Sequence, residues 1–173
     1  MRRVRAPLRI AGMSKSVKRV EAALAAAGVA SEVREMPAET RTAQMAAEAV
    51  GCALDQIAKS IIFRGESSGE AVLFLTAGGN QVDVARASEL AGEPLGKADA
   101  DLVRAQTGFA IGGVAPVGHL APIRAWLDPR LLDFDVVWAA AGTPRHVFSI
   151  APKDLLDVSG AQVSGFTALS EKM

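Results

Sequence analysis

A lysine at the start of an apolar run is the first residue whose type and position suggest chemistry. Lys59 lies in the run IAKSIIF, between a short helical turn and a strand. Its ammonium is a compact charge that suits a phosphate or a carbonyl oxygen. Partial burial would lower its pKa and allow proton transfer. A lysine at a strand start can equally extend its charge to water without a function, so Lys59 alone leaves both interpretations open.

A glycine-rich segment is the second candidate. Thr107–His119 reads TGFAIGGVAPVGH and holds four glycines and one proline. Glycines let backbone amides approach a ligand closely, and successive N–H groups can hold an anion or a developing oxyanion. His119 adds a group that titrates near neutral pH. The same composition also suits a purely structural connection between strands, and the segment by itself favours neither.

The third candidate is the segment 140–146, AAGTPRH, which is typical of a turn between strands. Gly142 is predicted to line a pocket and His146 to face it. On spacing alone, a hairpin turn with a histidine at the edge of the core is the simpler interpretation.

Several kinds of site are excluded by the sequence. It contains no G-x-x-x-x-G-K-[ST] loop, no G-x-G-x-x-G after a strand and no G-x-S-x-G elbow. Two histidines and one cysteine, widely spaced, do not form a zinc site, so no metal or cofactor is expected. Cys52 could pair with a histidine as a nucleophile, but a small buried cysteine is favoured. A lone cysteine also fits a reducing compartment, and a cytoplasmic location is predicted.

The helices that must position these residues follow from apolar spacing and capping residues. Ser14 and Thr42 are typical N-caps, and Gly28 and Gly51 are typical helix ends. The predicted helices are Lys15–Ala27, Ala43–Val50, Val84–Ala91, Ala100–Gln106 and Lys153–Asp157, with a helical turn at Asp55–Ala58.

Strands are predicted between the helices from short apolar or alternating runs. They are Ser31–Met36, Lys59–Arg64, Ala71–Thr76, Phe109–Ile111, Ile123–Leu127, Val136–Ala140 and His146–Ile150, with a last short strand or coil at Val163. The second and third form a hairpin across the turn Glu66–Gly69. Irregular alternation with hairpins predicts a mixed α+β domain rather than a doubly wound parallel sheet.

Length and charge limit the organisation of the chain. The 173 residues suit one domain, and the net charge is zero. The first twenty residues nevertheless carry seven basic and no acidic side chains. We therefore divide the chain into a basic N-terminal arm, 1–12, and one domain, 13–173. The arm is either a solvated tail or a phosphate-binding segment. No apolar stretch approaches the ~18 residues of a membrane span.

Four segments together carry a resemblance to a known family. They are Pro37–Gly51 with Thr40 and Thr42, Lys59-Ser60, Thr107–His119 with Gly112-Gly113 and Pro116-x-Gly118-His119, and the turn Ala141-Gly142 followed by a strand and Ala151-Pro152-x-Asp154-Leu155. In their order and spacing the chain resembles the YbaK-type, prolyl-tRNA synthetase-associated editing domains. The resemblance runs from about Ser14 to Phe166.

The resemblance implies a compact α+β domain with a mixed, barrel-like sheet flanked by helices. It also implies hydrolysis of the ester between a wrong amino acid and the terminal adenosine of a tRNA, often proline tRNA carrying a small residue. The family lysine matches Lys59, its Gly-x-x-Pro loop matches Gly113–Pro116, and its later glycine matches Gly142. The predicted catalytic residues are Lys59, Gly112, Gly113 and Val114. The predicted substrate-binding residues are Thr40, Thr42, Ile111, Pro116, Gly118, His119, Gly142 and His146.

The implied partners are the acceptor end of an aminoacyl-tRNA and prolyl-tRNA synthetase. Two alternatives stay open at this point: a non-catalytic module that binds tRNA or a synthetase, and a hydrolase for another small ester. The identity of the amino acid and the tRNA, and the oligomeric state, do not follow from the sequence.

Overall fold

A computed structural model describes residues 15–169. The predicted arm and the Ser14 cap lie outside these residues. The helices of the described part are α1 Lys15–Ala26, α2 Ala43–Val50, α3 Val84–Ala91, α4 Ala100–Thr107 and α5 Pro152–Ser159, with short 3-10 turns at Leu54–Gln56 and Pro129–Asp133. None of them is long and apolar enough to cross a membrane.

One mixed sheet contains every strand of the described residues. The strands are β1 Val33–Glu35, β2 Ile57–Gly65, β3 Ala71–Ala77, β4 Leu95–Lys97, β5 Arg124–Leu127, β6 Val137–Ala140, β7 His146–Ile150 and β8 Gln162–Val163. Their order is β1-β7-β6-β2-β3-β5-β8, with β4 beside β2. The predicted single mixed domain is confirmed. The barrel-like closure is not, because β1 and β8 end the path without pairing with each other among residues 15–169.

The predicted strand Phe109–Ile111 is wrong. These residues form irregular turns after α4, where the Phe109 N–H donates to Thr107 Oγ1 at 3.0 Å instead of joining a ladder. Phe109 is fully buried in the main core. A short apolar run looks the same whether it is a strand or a single anchor for a loop, and here it is the anchor.

One strand was missed by the sequence analysis. β4 is three residues long and contains Gly96, so it shows no alternation that a pattern could detect. It pairs antiparallel with the end of β2, where Phe63 lies opposite Lys97. The pairing covers one edge of β2 at its C-terminal end, residues 63–65.

Local signals predicted both ends of α2. The Thr42 hydroxyl accepts from the Met45 N–H at the start of α2. Gly51 ends that helix with φ of 78°, a left-handed conformation that suits glycine. α2 therefore occupies the predicted residues.

The sheet is buried at its centre. Every residue of β3 is buried, with Leu73, Leu75 and Ala77 in the main core and Val72 and Phe74 in a smaller cluster on the other face. β2 pairs antiparallel with β3 along its length, and Lys59 lies opposite Thr76. The lysine therefore stands on a rigid central strand, which holds its backbone in place.

The second edge of β2 is paired at both ends and open in the middle. Ile57 and Ala58 pair with β6, and the pairing with β4 begins at Phe63. Residues 59–62 have no strand partner on this edge within the described part of the chain. Unpaired backbone groups on a sheet edge are available to a ligand or to water.

Candidate active site

A cavity of about 520 Å³ lies against the open edge of β2. This volume is in the range of ligand pockets, 300–1,000 Å³. Six of the predicted site residues line it: Thr40, Thr42, Lys59, Gly112, Val114 and His146. Ile111 lines a neighbouring cavity of about 460 Å³, which shares Ser60, Ile61, Gly112 and Val114 with the first. The predicted residues Gly113, Pro116, Gly118, His119 and Gly142 line neither.

Lys59 enters the cavity as a partly shielded cation. Its Nζ donates to the Asn80 carbonyl oxygen at 2.6 Å. Burial lowers the pKa of the ammonium, and the carboxylates of Asp128 and Asp55 oppose that shift. An ammonium has three donors, so two remain for a ligand after the bond to Asn80.

Asp128 stabilises the turn whose carbonyl binds Lys59. The sequence analysis did not identify this residue. Its carboxylate is buried and accepts from Ala77 N–H at 3.1 Å and Asn80 Nδ2 at 2.9 Å through Oδ2. Its Oδ1 accepts from Arg130 N–H at 2.9 Å. The turn that carries the Asn80 carbonyl is thus fixed by a charge that also faces Lys59. The sequence feature that could have identified Asp128 is its position directly after a buried strand.

Asp128→Asn is expected to lower the free energy of unfolding by about 1–3 kcal/mol, because the new amide turns an N–H toward at least one buried donor. The Asp128 carboxylate raises the pKa of Lys59, so losing its charge lowers that pKa further. Urea titrations measure the first effect. Asp135→Asn, at an exposed carboxylate, is the matched control and should change the stability by no more than about 0.5 kcal/mol. Equal stability of both variants would contradict the support role.

Two backbone segments meet at Gly113. A Cβ built on Gly113 would lie 2.5 Å from Thr143 Cα and 2.6 Å from its carbonyl carbon. No side-chain movement relieves a clash with backbone, so this position needs glycine. Gly142, with φ of 106°, likewise leaves room for the backbone of Ser16. These glycines bring the loop 107–119 and the turn 142–146 together.

The loop also presents unused amides. The Gly113 N–H donates to the Ala110 carbonyl at 3.0 Å and is therefore occupied by a turn. The N–H groups of Gly112 and Val114 have no acceptor among residues 15–169, and both residues line the cavity. The N–H groups of Gly112 and Val114 can therefore donate to a ligand. Such a pair of backbone donors is suited to a carbonyl oxygen that gains negative charge.

Two unsatisfied side-chain atoms point to a ligand in the same cavity. His146 Nδ1 lies 2.6 Å from Thr143 Oγ1, while its buried Nε2 has no partner in the described residues. Ser60 Oγ is also buried and unpartnered there. Buried polar atoms normally find a partner. The sequence analysis names Ser60 beside Lys59 but does not assign it to the site.

The imidazole of His146 belongs to the cavity wall. Burial lowers the pKa of its imidazole, with Glu35 raising it and Arg145 lowering it by smaller amounts. Its Nε2 can accept a hydrogen bond when the proton is on Nδ1.

Thr40 and Thr42 line the cavity mouth but have structural bonds as well. Thr40 Oγ1 and its backbone N–H both donate to the Pro144 carbonyl, at 3.2 and 2.9 Å. Thr42 caps α2. The pair ties the start of α2 to the turn that carries His146.

His119 lies behind the loop rather than in the cavity. Its Nε2 is 2.7 Å from the Ala115 carbonyl oxygen, and its ring contacts Phe109 edge-on. Burial lowers its pKa. Among the predicted site residues, His119, Pro116 and Gly118 therefore shape the loop from the core side and do not meet Lys59.

Cys52 has no feature of a nucleophile in the described structure. Its Sγ donates to the neighbouring Ala53 carbonyl at 3.3 Å, and burial raises the pKa of the thiol. It does not line the cavity. Within residues 15–169, no group of three His, Cys, Asp or Glu side chains is placed to hold a metal ion.

The chain is similar to several known proteins. A solved structure of a candidate trans-editing enzyme for prolyl tRNA synthetase is 49% identical, with a TM-score of 0.85, over 91% of this chain and 100% of that one. The structure of hypothetical protein APE2540 is 28% identical, with a TM-score of 0.79, over 87% and 99%. The uncharacterized protein YwhH of Bacillus subtilis (strain 168) is 33% identical over 120 residues, which are 69% of this chain and 76% of that protein.

The sequence model of one family, described as the aminoacyl-tRNA editing domain, matches residues 37–158. That segment is well over half of the chain, and it contains Lys59, the glycine-rich loop and the turn with His146. The resemblance found in the sequence is thereby confirmed, and the chain belongs to the aminoacyl-tRNA editing domain family.

Proposed function

We propose that this protein is an aminoacyl-tRNA deacylase that acts in trans on mischarged tRNA, with proline tRNA carrying a small wrong amino acid as its substrate. Family membership supports the editing activity. The similarity to a candidate trans-editing enzyme for prolyl tRNA synthetase supports the choice of tRNA. The observation that carries the proposal is a cavity lined by Lys59, Gly112 and Val114, in which the N–H groups of the latter two have no acceptor among residues 15–169.

The reaction needs little from the protein beyond positioning and charge stabilisation. Water attacks the carbonyl carbon of the ester, the carbonyl oxygen becomes an oxyanion, and the C–O bond to the ribose breaks. The products are the free amino acid and a tRNA with its terminal hydroxyl restored. The N–H groups of Gly112 and Val114 would receive the oxyanion, and one such donor is worth about 3 kcal/mol.

Lys59 would hold a negatively charged or strongly polar part of the substrate beside those amides. Its two remaining donors suit a phosphate oxygen of the terminal adenosine or the ester itself. His146 Nε2 and Ser60 Oγ would then take the α-amine or the attacking water, which satisfies both buried atoms. With its proton on Nδ1, the imidazole of His146 can accept a hydrogen bond from either at Nε2.

Selection of the amino acid would rest on the size of the cavity. Its wall includes Ile57, Ala139 and Val147, all apolar. An apolar pocket distinguishes one methylene by only about 1–3 kcal/mol. Editing after aminoacylation is useful for small residues because a single selection of this strength leaves errors.

The proposal is tested by incubating the protein with proline tRNA charged with alanine, cysteine, serine, threonine or 2-aminobutyrate, with correctly charged prolyl-tRNA as the reference. We expect rapid loss of at least one wrong amino acid and slow loss of proline. Tight tRNA binding without hydrolysis would favour the non-catalytic module. Equal hydrolysis of the matching amino-acid ethyl ester would favour a small-ester hydrolase.

The segment outside the matched region has a separate proposed role. The basic arm, 1–12, precedes the domain, 13–173, and would bind tRNA phosphates. The protein would work in the cytoplasm, alone or with prolyl-tRNA synthetase. Removal of residues 1–12 should weaken tRNA binding and reduce its dependence on salt. Unchanged affinity and salt slope would exclude that role.

A further inference from the structure

Helix α1 lies before the segment matched by the family, which begins at residue 37, yet it contacts the glycine-rich loop directly. Arg19 of α1 makes directional side-chain contacts with this loop. We propose that Arg19 is a positioning residue that fixes the loop so that the Gly112 and Val114 amides face the cavity. This inference rests on the proposed deacylase function for its kinetic test, and on the structure alone for its spectroscopic test.

One guanidinium joins the two ends of the loop. Arg19 Nε donates to the Gly118 carbonyl oxygen at 3.0 Å, and Nη2 donates to the Thr107 carbonyl oxygen at 3.4 Å. These residues stand at the beginning and near the end of the segment 107–119. A planar, forked donor can bridge two such acceptors, which a lysine ammonium cannot do with the same geometry. The bridge therefore fixes the distance between the two ends of the loop.

The guanidinium also holds the anchor of the loop. Its Cζ lies 4.7 Å from the centroid of the Phe109 ring, a favourable cation–π contact. Phe109 in turn packs edge-on against His119. A Cβ on Gly108 would lie 2.3 Å from Arg19 Nη2, so glycine at 108 leaves the space that the guanidinium fills.

The backbone of α1 supports both segments of the site. A Cβ on Gly118 would lie 3.2 Å from the Arg19 carbonyl oxygen, and a Cβ on Gly142 would lie 2.9 Å from the Ser16 carbonyl carbon. The loop and the turn that meet at Gly113 therefore both rest on the same helix. Arg19 is the side chain that fixes the helix to the loop by directional bonds.

The charge of Arg19 is not used in an ion pair. No carboxylate lies within salt-bridge distance of it in the described part of the chain. Lys15 and Lys18, on the same helix, are exposed, whereas Arg19 is half-buried. An arginine held by two carbonyls and a ring, instead of a carboxylate or open solvent, fits a role in fixing the loop.

The test compares Arg19→Ala with Lys18→Ala, which removes the same charge from the same helix without touching the loop. For Arg19→Ala we expect kcat for the mischarged tRNA to fall about tenfold with KM changed less than twofold, since loop geometry and not tRNA affinity is lost. Guanidinium ion added at low millimolar concentration should restore part of the rate. Lys18→Ala should keep kcat.

Backbone amide signals of Gly112 and Val114 provide a readout that does not need activity. They should shift in Arg19→Ala, but not in Lys18→Ala. Arg19→Gln, which keeps the stem and one donor, should show smaller changes of the same kind and serves if the alanine variant does not fold. Unchanged amide signals and unchanged kcat would overturn the proposal. A wild-type protein without deacylase activity would refute the proposed function, while the amide signals would still decide the role of Arg19.

Discussion

Lys59→Ala is expected to lower the single-turnover rate of deacylation by about two to three orders of magnitude, the effect of losing one preorganised donor at a reacting carbonyl. The ammonium is prepositioned, because β3 holds its strand and the Asn80 carbonyl holds its Nζ. Partial burial removes part of its hydration before substrate arrives, and this lowers its pKa. The measurement is the rate of amino-acid release from the mischarged proline tRNA that the wild type prefers.

Two further variants separate charge from packing in that experiment. Lys59→Met keeps the apolar stem and should lose as much activity as the alanine variant, with less effect on folding. Lys153→Ala removes an exposed cation from α5 and should keep the wild-type rate. A Lys59→Met rate within about threefold of wild type would show that the charge has no part in catalysis, while leaving the deacylase activity itself intact.

Gly113→Ala is the second change with a large expected effect. The new methyl would overlap the Thr143 backbone at 2.5–2.8 Å, so the loop must move away from the turn that carries His146. A displacement of about 1 Å at a catalytic site costs on the order of 10²-fold in rate. Overpacking of this kind also lowers the free energy of unfolding by about 1–3 kcal/mol. Deacylation rates and urea titrations measure the two effects.

The control for Gly113 is a glycine away from the site. Gly160 ends α5 with φ of 70°, and a Cβ there would meet nothing within 4 Å. Gly160→Ala should cost stability through backbone strain, about 1 kcal/mol, and leave the rate unchanged. If Gly113→Ala lost stability but kept its rate, the contact with Thr143 would be packing alone.

The parts of the site that depend on local sequence could be predicted. Lys59 stands out because a charge in an apolar run is unusual, and the loop stands out because glycines and proline cluster there. The start of α2 was predictable from the side-chain cap of Thr42, since a cap needs only residues a few positions away.

The parts that depend on long-range contacts could not be predicted. Asp128 acts on a turn about fifty residues earlier, and Arg19 acts on a loop about a hundred residues later. The hydrogen bond from the Gly113 N–H to the Ala110 carbonyl is local. Composition nevertheless does not show which N–H groups of a glycine-rich loop lack an acceptor. Ser60 shows its importance only through burial without a partner, which requires a structure.

The open stretch of β2 has a consequence for how stability is distributed. Strands β1, β7 and β6 join the remaining sheet through two pairs, Ile57 with Trp138 and Ala58 with Ala139, in the described residues. Because so few ladder pairs cross this boundary, we expect its amides to exchange through local openings that cost less than global unfolding, although the main core packs on both sides of it. The cavity lies along the boundary, so a bound substrate that spans it would protect those amides from exchange.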